Sequence, residues 1–202
     1  MINRDGGNLV MKKHTTILLS IITFLYVNCG IAMADNYVKT GQWSYFSDTV
    51  MGGVSEGNAR FENDGTDKIL RLTGEVSTEN NGGFVQVRLA VPEGITANKK
   101  GIRLKIKGNG ENYYLHIRNS STKLPWHYYQ QAFSTDDTWK EVQLPFENFE
   151  KSSSLMWSKM KQSTIKTIGI VAYGKDHTAD VSIMHFIFCL LYTSPSPRDL
   201  RK

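Results

Sequence analysis

The sequence predicts an all-β sandwich of roughly eight to ten short strands. Runs of alternating apolar and polar residues recur about every ten positions between residues 42 and 188, and turn residues separate them. Alternation places successive side chains on opposite faces of a sheet, so closely spaced runs of this kind favour two packed sheets over βαβ units. Two glycine pairs, Gly52-Gly53 and Gly82-Gly83, supply sharp turns.

The first half of this region contains four predicted strands. They lie at residues 42–45, at an edge; around Leu70 and Leu72, with an interruption or bulge at Gly74; at 84–89; and at 102–107. The last is the clearest, because Ile102, Leu104 and Ile106 alternate with basic residues. The glycine-rich turn at 108–110 then predicts a β-hairpin with residues 113–118.

The second half adds an aromatic-rich strand at 126–133 and a strand at 139–146. Pro145 predicts that the latter strand ends there or lies at a sheet edge, because proline cannot donate to a ladder. Residues 147–164 lack alternation and predict a long connection with a helical turn. This connection is either a functional or mobile segment or a simple crossover between the two sheets. Apolar strands at 165–172 and 181–188 close the predicted domain.

Residues 1–34 resemble a secretory leader. A basic start after Met11, an apolar run at 15–27 and a small-residue site ending at Ala34 predict a signal peptide that is cleaved after Ala34. The run is shorter than the roughly 20 residues of a transmembrane helix. We therefore expect translation to start at Met11, the mature protein to be periplasmic or secreted without a membrane span, and the folded domain to occupy residues 35–188.

Two further expectations concern the ends. Lipidation at Cys29 is an alternative to simple cleavage, and it is disfavoured because Asn28 is larger and more polar than the residue that usually precedes a lipidated cysteine. Residues 189–202 are proline-rich and basic. They are either a translated sequencing adaptor or a natural disordered tail, and both interpretations keep them outside the fold.

Most of the formal net charge of +5 comes from residues at the two ends of the chain. Six of the 24 Lys and Arg residues and two of the 19 Asp and Glu residues lie outside 35–188. The domain therefore has 18 basic and 17 acidic residues and a net charge of +1. A nearly neutral domain does not predict a nucleic-acid partner. Both cysteines, Cys29 and Cys189, also lie outside 35–188, so no disulfide or thiolate metal site is predicted.

No pattern predicts catalysis, a metal or a cofactor. The candidate acids show no spacing that singles out a pair: Asp48, Glu56, Glu75, Glu79 and Glu111. The histidines of the domain lack the spacing of a metal motif: His116, His127, His177 and His185. Neither glycine pair is followed by Lys-Ser or Lys-Thr, as in a phosphate-binding loop.

A polar and aromatic face is the candidate ligand-binding site. If Tyr113, Leu115 and Ile117 face the core, the alternate residues of that strand share the outer face. The predicted ligand-binding residues there and on the next strand are Tyr114, His116, Arg118, Trp126, Tyr128 and Gln130. Aromatic rings stack on sugars while polar groups bind hydroxyls. The alternatives are a solvated sheet face and rings that fill the core.

The glycine-rich segments are predicted to be structural turns. The residues concerned are Asp48, Gly52, Gly53, Asn81, Gly82 and Gly83. We expect Ser47 and Asp48 to bond the backbone amides of their own turn, as short polar side chains do. Direct contact with a ligand is the alternative.

Several of these segments together resemble a known family. Trp43, SDTVMGGVS from Ser47, TENNGGFVQVR from Thr78, VQLPFENF from Val142 and the closing IGIVA are similar to the complex I intermediate-associated protein 30 family over about residues 42–188. The resemblance implies a jelly-roll β-sandwich of the galactose-binding domain-like type and a non-catalytic domain. It also implies relatives that assist assembly of respiratory complex I in mitochondria.

An export signal is difficult to reconcile with assembly work on the matrix side of a membrane. We therefore expect an exported binding or chaperone-like accessory module that holds a protein or glycan partner. The alternatives are an exported carbohydrate-active enzyme or its carbohydrate-binding domain, and a complex I assembly factor.

Overall fold

The computed structural model describes residues 35–190. The predicted signal peptide, the Met11 start, Cys29 and residues 191–202 of the predicted tail lie outside the described residues. The strands are β1 (Gln42–Ser47), β2 (Glu56–Asp64), β3 (Asp67–Val76), β4 (Phe84–Ala90), β5 (Gly101–Gly108), β6 (Asn112–Asn119), β7 (Tyr129–Ser134), β8 (Lys140–Pro145), β9 (Glu150–Lys151), β10 (Ile165–Tyr173) and β11 (His177–Cys189). The helical segments are α1 (Tyr37–Thr40) and short 3-10 turns at Asp48–Met51, Glu79–Asn81, Phe146–Asn148 and Gln162–Thr164.

The strands form two antiparallel sheets. Sheet A has the order β1-β4-β10-β6-β7-β9, and sheet B has the order β2-β3-β11-β5-β8. The chain passes repeatedly from one sheet to the other, which is the winding of a jelly roll. The predicted all-β jelly-roll sandwich is confirmed. Within residues 35–190, no helix is long and apolar enough to cross a membrane.

The core lies between the inner faces of the sheets. Ile102, Leu104 and Ile106 on β5 are fully buried, as predicted, and so are Leu115 and Ile117 on β6. Burial of each such side chain contributes roughly 1.5–3 kcal/mol. Because side chains alternate along β6, this inward set fixes which residues of β6 face outward.

The predicted hairpin between residues 102–107 and 113–118 is wrong. β5 pairs with β11 and β8 in sheet B, whereas β6 pairs with β10 and β7 in sheet A. The glycine-rich segment instead turns the chain from one sheet into the other. Gly108 leaves room for the Thr135 side chain, whose Oγ1 would lie 2.5 Å from a Cβ, and Gly110 has a φ of 88°.

The predicted interruption at Gly74 is also wrong. β3 runs unbroken, and its pairing with β2 and β11 continues in register through Gly74. A Cβ at Gly74 would lie 2.5 Å from the carbonyl oxygen of Glu56, so the glycine permits a close approach of β2. β2 itself is absent from the sequence prediction, because it is a mostly exposed edge strand without alternation.

The strands predicted in the second half of the domain are present, but two of them begin several residues from the predicted start. β11 begins at His177, four residues before the predicted start, and runs through Cys189, which was predicted to lie outside the fold. β7 begins at Tyr129, so residues 126–128 belong to the preceding loop. β8 ends at Pro145 and lies at the edge of sheet B, as predicted. Residues 147–164 cross to sheet A through β9 and a 3-10 turn, as the crossover interpretation expects.

Candidate functional site

A groove of about 820 Å³ lies on the outer face of sheet A. Strands β1, β4, β6 and β10 form its floor, and the loop between β6 and β7 forms one wall. Four of the predicted ligand-binding residues line it: His116, Arg118, Trp126 and Tyr128. The outward orientation of Tyr114, His116 and Arg118 follows from β6, in which Tyr113, Leu115 and Ile117 are fully buried.

The middle strand of the floor, β10, carries Gly169 at its centre. Arg88 on β4 and His116 on β6 both pair with Gly169 on β10. These three residues therefore form one row across the sheet. The absence of a side chain at Gly169 leaves room for that of Gln86, whose Oε1 would lie 2.7 Å from a Cβ at this position. The Arg88 guanidinium is held at the side of this row, with Cζ 4.5 Å from the centroid of the Phe46 ring.

A cluster of rings covers the other side of the floor. The His116 ring stacks on Tyr128, with centroids 3.9 Å apart and planes inclined by 11°. Tyr173 on β10 contacts His116 and Tyr114 edge-on and donates a hydrogen bond of 2.6 Å to Gln130 Oε1. Tyr173 is not among the residues predicted from the sequence, although it connects three of them.

His116 is a neutral group in this cluster. Burial, together with the positive charge of Arg88, lowers the pKa of His116 to about 3. Within the described part of the chain, its Nε2 atom is buried without a hydrogen-bond partner. A neutral imidazole can donate or accept a hydrogen bond through this nitrogen, according to its tautomer.

Arg118 holds the wall of the groove. Its Nη1 donates to the carbonyl oxygen of Pro125 at 2.5 Å, and its Nη2 donates to that of Leu124 at 3.0 Å. Trp126 follows directly in this loop and is 62 % exposed. Arg118 lines the groove, and these bonds add a positioning role that the sequence did not reveal. Its predicted contact with a ligand stays a prediction.

Asp48 joins the two glycine-rich turns beside the groove. Its buried carboxylate accepts hydrogen bonds from the backbone N–H groups of Ser55 at 2.9 Å, Gly83 at 2.5 Å and Phe84 at 3.2 Å. Burial alone would raise the pKa of Asp48, but these bonds and the Ser55 hydroxyl outweigh it and lower the pKa below its ordinary value. The bond from Ser55 confirms the expected contact of Asp48 with a backbone amide of its own turn, whereas Ser47 makes no capping bond.

The four glycines meet two different requirements at this junction. Gly52 and Gly83 adopt φ angles of 90° and 116°, which favour glycine. Gly53 and Gly82 leave space instead, because a Cβ at either position would overlap the Asp48 carboxylate. The motif therefore encodes a buried carboxylate shared by two turns.

This junction shapes one end of the groove. The 3-10 turn Asp48–Met51 brings Val50 and Met51, which are 70 % and 61 % exposed, to the rim, and Phe84 also lines the groove. Asn81 closes the second turn with a left-handed φ of 59°. Among residues 35–190, no three His, Cys, Asp or Glu side chains are grouped so that they could hold a metal ion.

Comparison with known proteins gives a family match and several structural matches. The family model described as complex I intermediate-associated protein 30 matches residues 33–183. A search of the curated proteins gives no match.

Three solved structures illustrate the fold that this chain shares. The family 11 carbohydrate-binding module of a cellulosomal cellulase of Clostridium thermocellum has a TM-score of 0.61 and 15 % identity, covering 75 % of this chain and 91 % of that chain. The family 11 module from Clostridium thermocellum in complex with a β-1,3-1,4-mixed-linked tetrasaccharide has a TM-score of 0.60 and 15 % identity over 74 % and 91 %. An exo-β-agarase has a TM-score of 0.52 and 8 % identity, covering 79 % of this chain and 25 % of that chain. At these identities the likeness concerns the fold alone.

Proposed function

This chain belongs to the complex I intermediate-associated protein 30 family, and from that premise we propose that it is an exported, non-catalytic module that binds a glycan in the groove of sheet A. The observation that carries the proposal is the combination of exposed rings and polar groups along one groove. The family and the carbohydrate-binding modules of the same fold support a binding module without catalysis.

The rings supply the surface on which a sugar would stack. Trp126 on the wall is exposed, and the stacked rings of Tyr128 and His116 also line the groove. The Arg88 guanidinium supplies a polar group for hydroxyls. Tyr114 and Gln130 act one step further away, because both contact Tyr173.

The volume of the groove also suits a chain of sugars better than a single small molecule. A volume of about 820 Å³ is near the upper end of ordinary ligand sites. One module of this fold is described with a bound tetrasaccharide. At 15 % identity that neighbour supports the choice of ligand class by analogy of fold only.

Binding titrations with a panel of oligosaccharides test the proposal. We expect Trp126→Ala to weaken binding by about tenfold, because one stacking ring is lost. Trp157→Ala is the matched control, since Trp157 is also exposed, at 77 %, and lies outside the groove. Neither change should alter thermal stability.

Other outcomes would favour the alternative functions. No binding of any glycan by the wild-type protein would contradict the proposal and leave a protein partner as the better interpretation. The complex I assembly role predicts that deletion of the gene removes complex I, so normal NADH oxidation in a deletion strain would contradict that role.

Export is the second part of the proposal. It is supported by the signal-peptide pattern that ends at Ala34. We expect protein recovered from the periplasm or medium to begin at Asp35. Mass spectrometry of the intact protein measures this directly, and a cytoplasmic protein that retains residues 11–34 would contradict it.

A further inference from the structure

All charged side chains of the groove carry the same sign. The cations that line it are Arg88, Arg118, Lys123 and Lys166. None of the lining residues, all within the described part of the chain, is Asp or Glu. A ligand lying in this groove therefore meets a positive potential from both sides.

Composition alone does not produce this asymmetry. Residues 35–188 carry nearly equal numbers of acidic and basic residues. The cavity of about 430 Å³ on the outer face of sheet B shows the balanced arrangement, since acids and bases line it together. There the Arg71 guanidinium is bound by both oxygens of Asp180 at 2.8 and 2.7 Å. The groove of sheet A lacks such compensation.

The four cations are also free to meet an anion. Among residues 35–190, none of them takes part in an ion pair. Arg88 contacts the Phe46 ring, and Arg118 binds carbonyl oxygens only. Burial and the positive charge of Arg118 lower the pKa of Arg88, which remains protonated at neutral pH. A bound anion would relieve this repulsion.

The two guanidinium groups approach the floor from opposite sides. Arg88 lies on β4 and Arg118 on β6, and β10 runs between them. Their pairing partners on β10, Gly169 and Thr167, are two residues apart and so face the same side of the sheet. Guanidinium groups bind carboxylate and sulfate oxygens by charge-assisted hydrogen bonds.

We propose that the ligand of this groove is an anionic glycan, which carries carboxylate or sulfate groups along a chain of sugars. The inference rests on the proposed function and names its ligand class. The stacked rings favour a sugar chain over other polyanions, because a sugar ring offers an apolar face to Tyr128 and Trp126 while its acidic group reaches Arg88.

Calorimetric titration with matched pairs of ligands tests this inference. The pairs are oligogalacturonate with its methyl ester, and a sulfated galactan with its desulfated form; a neutral β-1,3-1,4-glucan and poly-glutamate complete the panel. We expect the wild-type protein to bind at least one acidic member about tenfold more tightly than its neutral counterpart. Its affinity should fall as salt is raised, because salt screens exposed charges.

The outcomes separate the inference from the proposed function. Equal binding of an acidic glycan and its neutral counterpart would overturn the inference and leave the glycan-binding function standing. No binding of any saccharide would overturn both. Binding of poly-glutamate as tightly as of the acidic glycans would assign the groove to acidic peptides and overturn the inference too.

Variants that remove a positive charge test whether the preference for acidic glycans depends on the cations of the groove. Arg88→Gln should weaken binding of the acidic glycan by about tenfold and that of its neutral counterpart much less. Lys107→Gln removes one positive charge from the other sheet and is the matched control. Since Arg88 is partly buried, the double variant Lys123→Gln/Lys166→Gln, whose positions are exposed, repeats the test without risk to the fold. Equal losses for charged and neutral ligands in both variants would overturn the inference.

Discussion

The carboxylate of Asp48 accepts a hydrogen bond from the backbone N–H of Gly83, 35 residues further along the chain. The same side chain accepts bonds from Ser55 and Phe84, so one buried charge satisfies backbone donors of two separate turns. Hydrogen bonds to a charged group are worth more than neutral ones, and a buried donor that loses its partner is costly. The stability of the turns beside the groove therefore depends on this single residue.

Asp48→Asn should lower the free energy of unfolding by about 3 kcal/mol. The amide keeps one acceptor oxygen, but its NH₂ group then faces backbone N–H donors. Urea unfolding measures the loss. Asp67→Asn is the control, because Asp67 forms an exposed ion pair of 3.3 Å with Lys39 and should cost less than about 1 kcal/mol. Equal losses in the two variants would contradict a special role for Asp48.

The pKa of Asp48 gives this loss a characteristic pH dependence. Its pKa is lowered in the folded protein despite burial, because hydrogen bonds favour the charged form. The stabilisation is thus complete above the unfolded pKa and is lost as pH falls through the folded pKa. The difference in unfolding free energy between the wild type and Asp48→Asn should therefore not change with pH around pH ~6, and it should become smaller as the pH falls below about 4.

Taking the difference in unfolding free energy between the wild type and Asp48→Asn cancels the contribution of the other acidic groups. Bonds from Lys140 and Thr138 lower the pKa of Asp136 to about 2, for example, and this group is present in both proteins. A difference that grows as the solution becomes more acidic would contradict the prediction.

Arg118 should act on binding mainly through the loop that it holds. Arg118→Ala removes the bonds to the carbonyls of Leu124 and Pro125, so hydrogen exchange of the loop amides should accelerate and glycan affinity should fall about tenfold. Arg88→Gln is the comparison, because it should weaken binding without changing exchange in this loop. Arg118→Lys, which restores one donor group, should recover part of the protection. Unchanged exchange in Arg118→Ala would contradict the positioning role.

The sequence predicts those parts of the site that depend on alternation within one strand. Burial of Tyr113, Leu115 and Ile117 follows from their apolar character, and it places Tyr114 and His116 on the outer face. Family resemblance adds the fold and its winding. The first inference succeeds because alternation is visible in neighbouring residues. The second succeeds because the family motifs are short stretches of sequence.

The remaining features depend on contacts between distant segments. The hairpin prediction fails because the sequence of a glycine-rich turn does not determine whether the next strand joins the same sheet. Arg88 and Tyr173 enter the groove only through the order of β4 and β10 in sheet A, which local spacing does not encode. Asp48 resembles a local turn residue until its partner at Gly83 is known.

Gly169 provides a final test of where the ligand lies. A Cβ at this position would lie 2.7 Å from Oε1 of Gln86, which is the end of a side chain that can move. Gly169→Val should therefore cost no more than about 2 kcal/mol of stability. The valine would displace the Gln86 side chain and project into the row between Arg88 and His116, so glycan affinity should fall at least about tenfold. Ala132→Val is the control. It lies at an exposed outward position on β7 outside the groove and adds two carbon atoms, one fewer than Gly169→Val. Unchanged affinity in Gly169→Val would place the ligand away from the centre of sheet A and contradict the site proposed above.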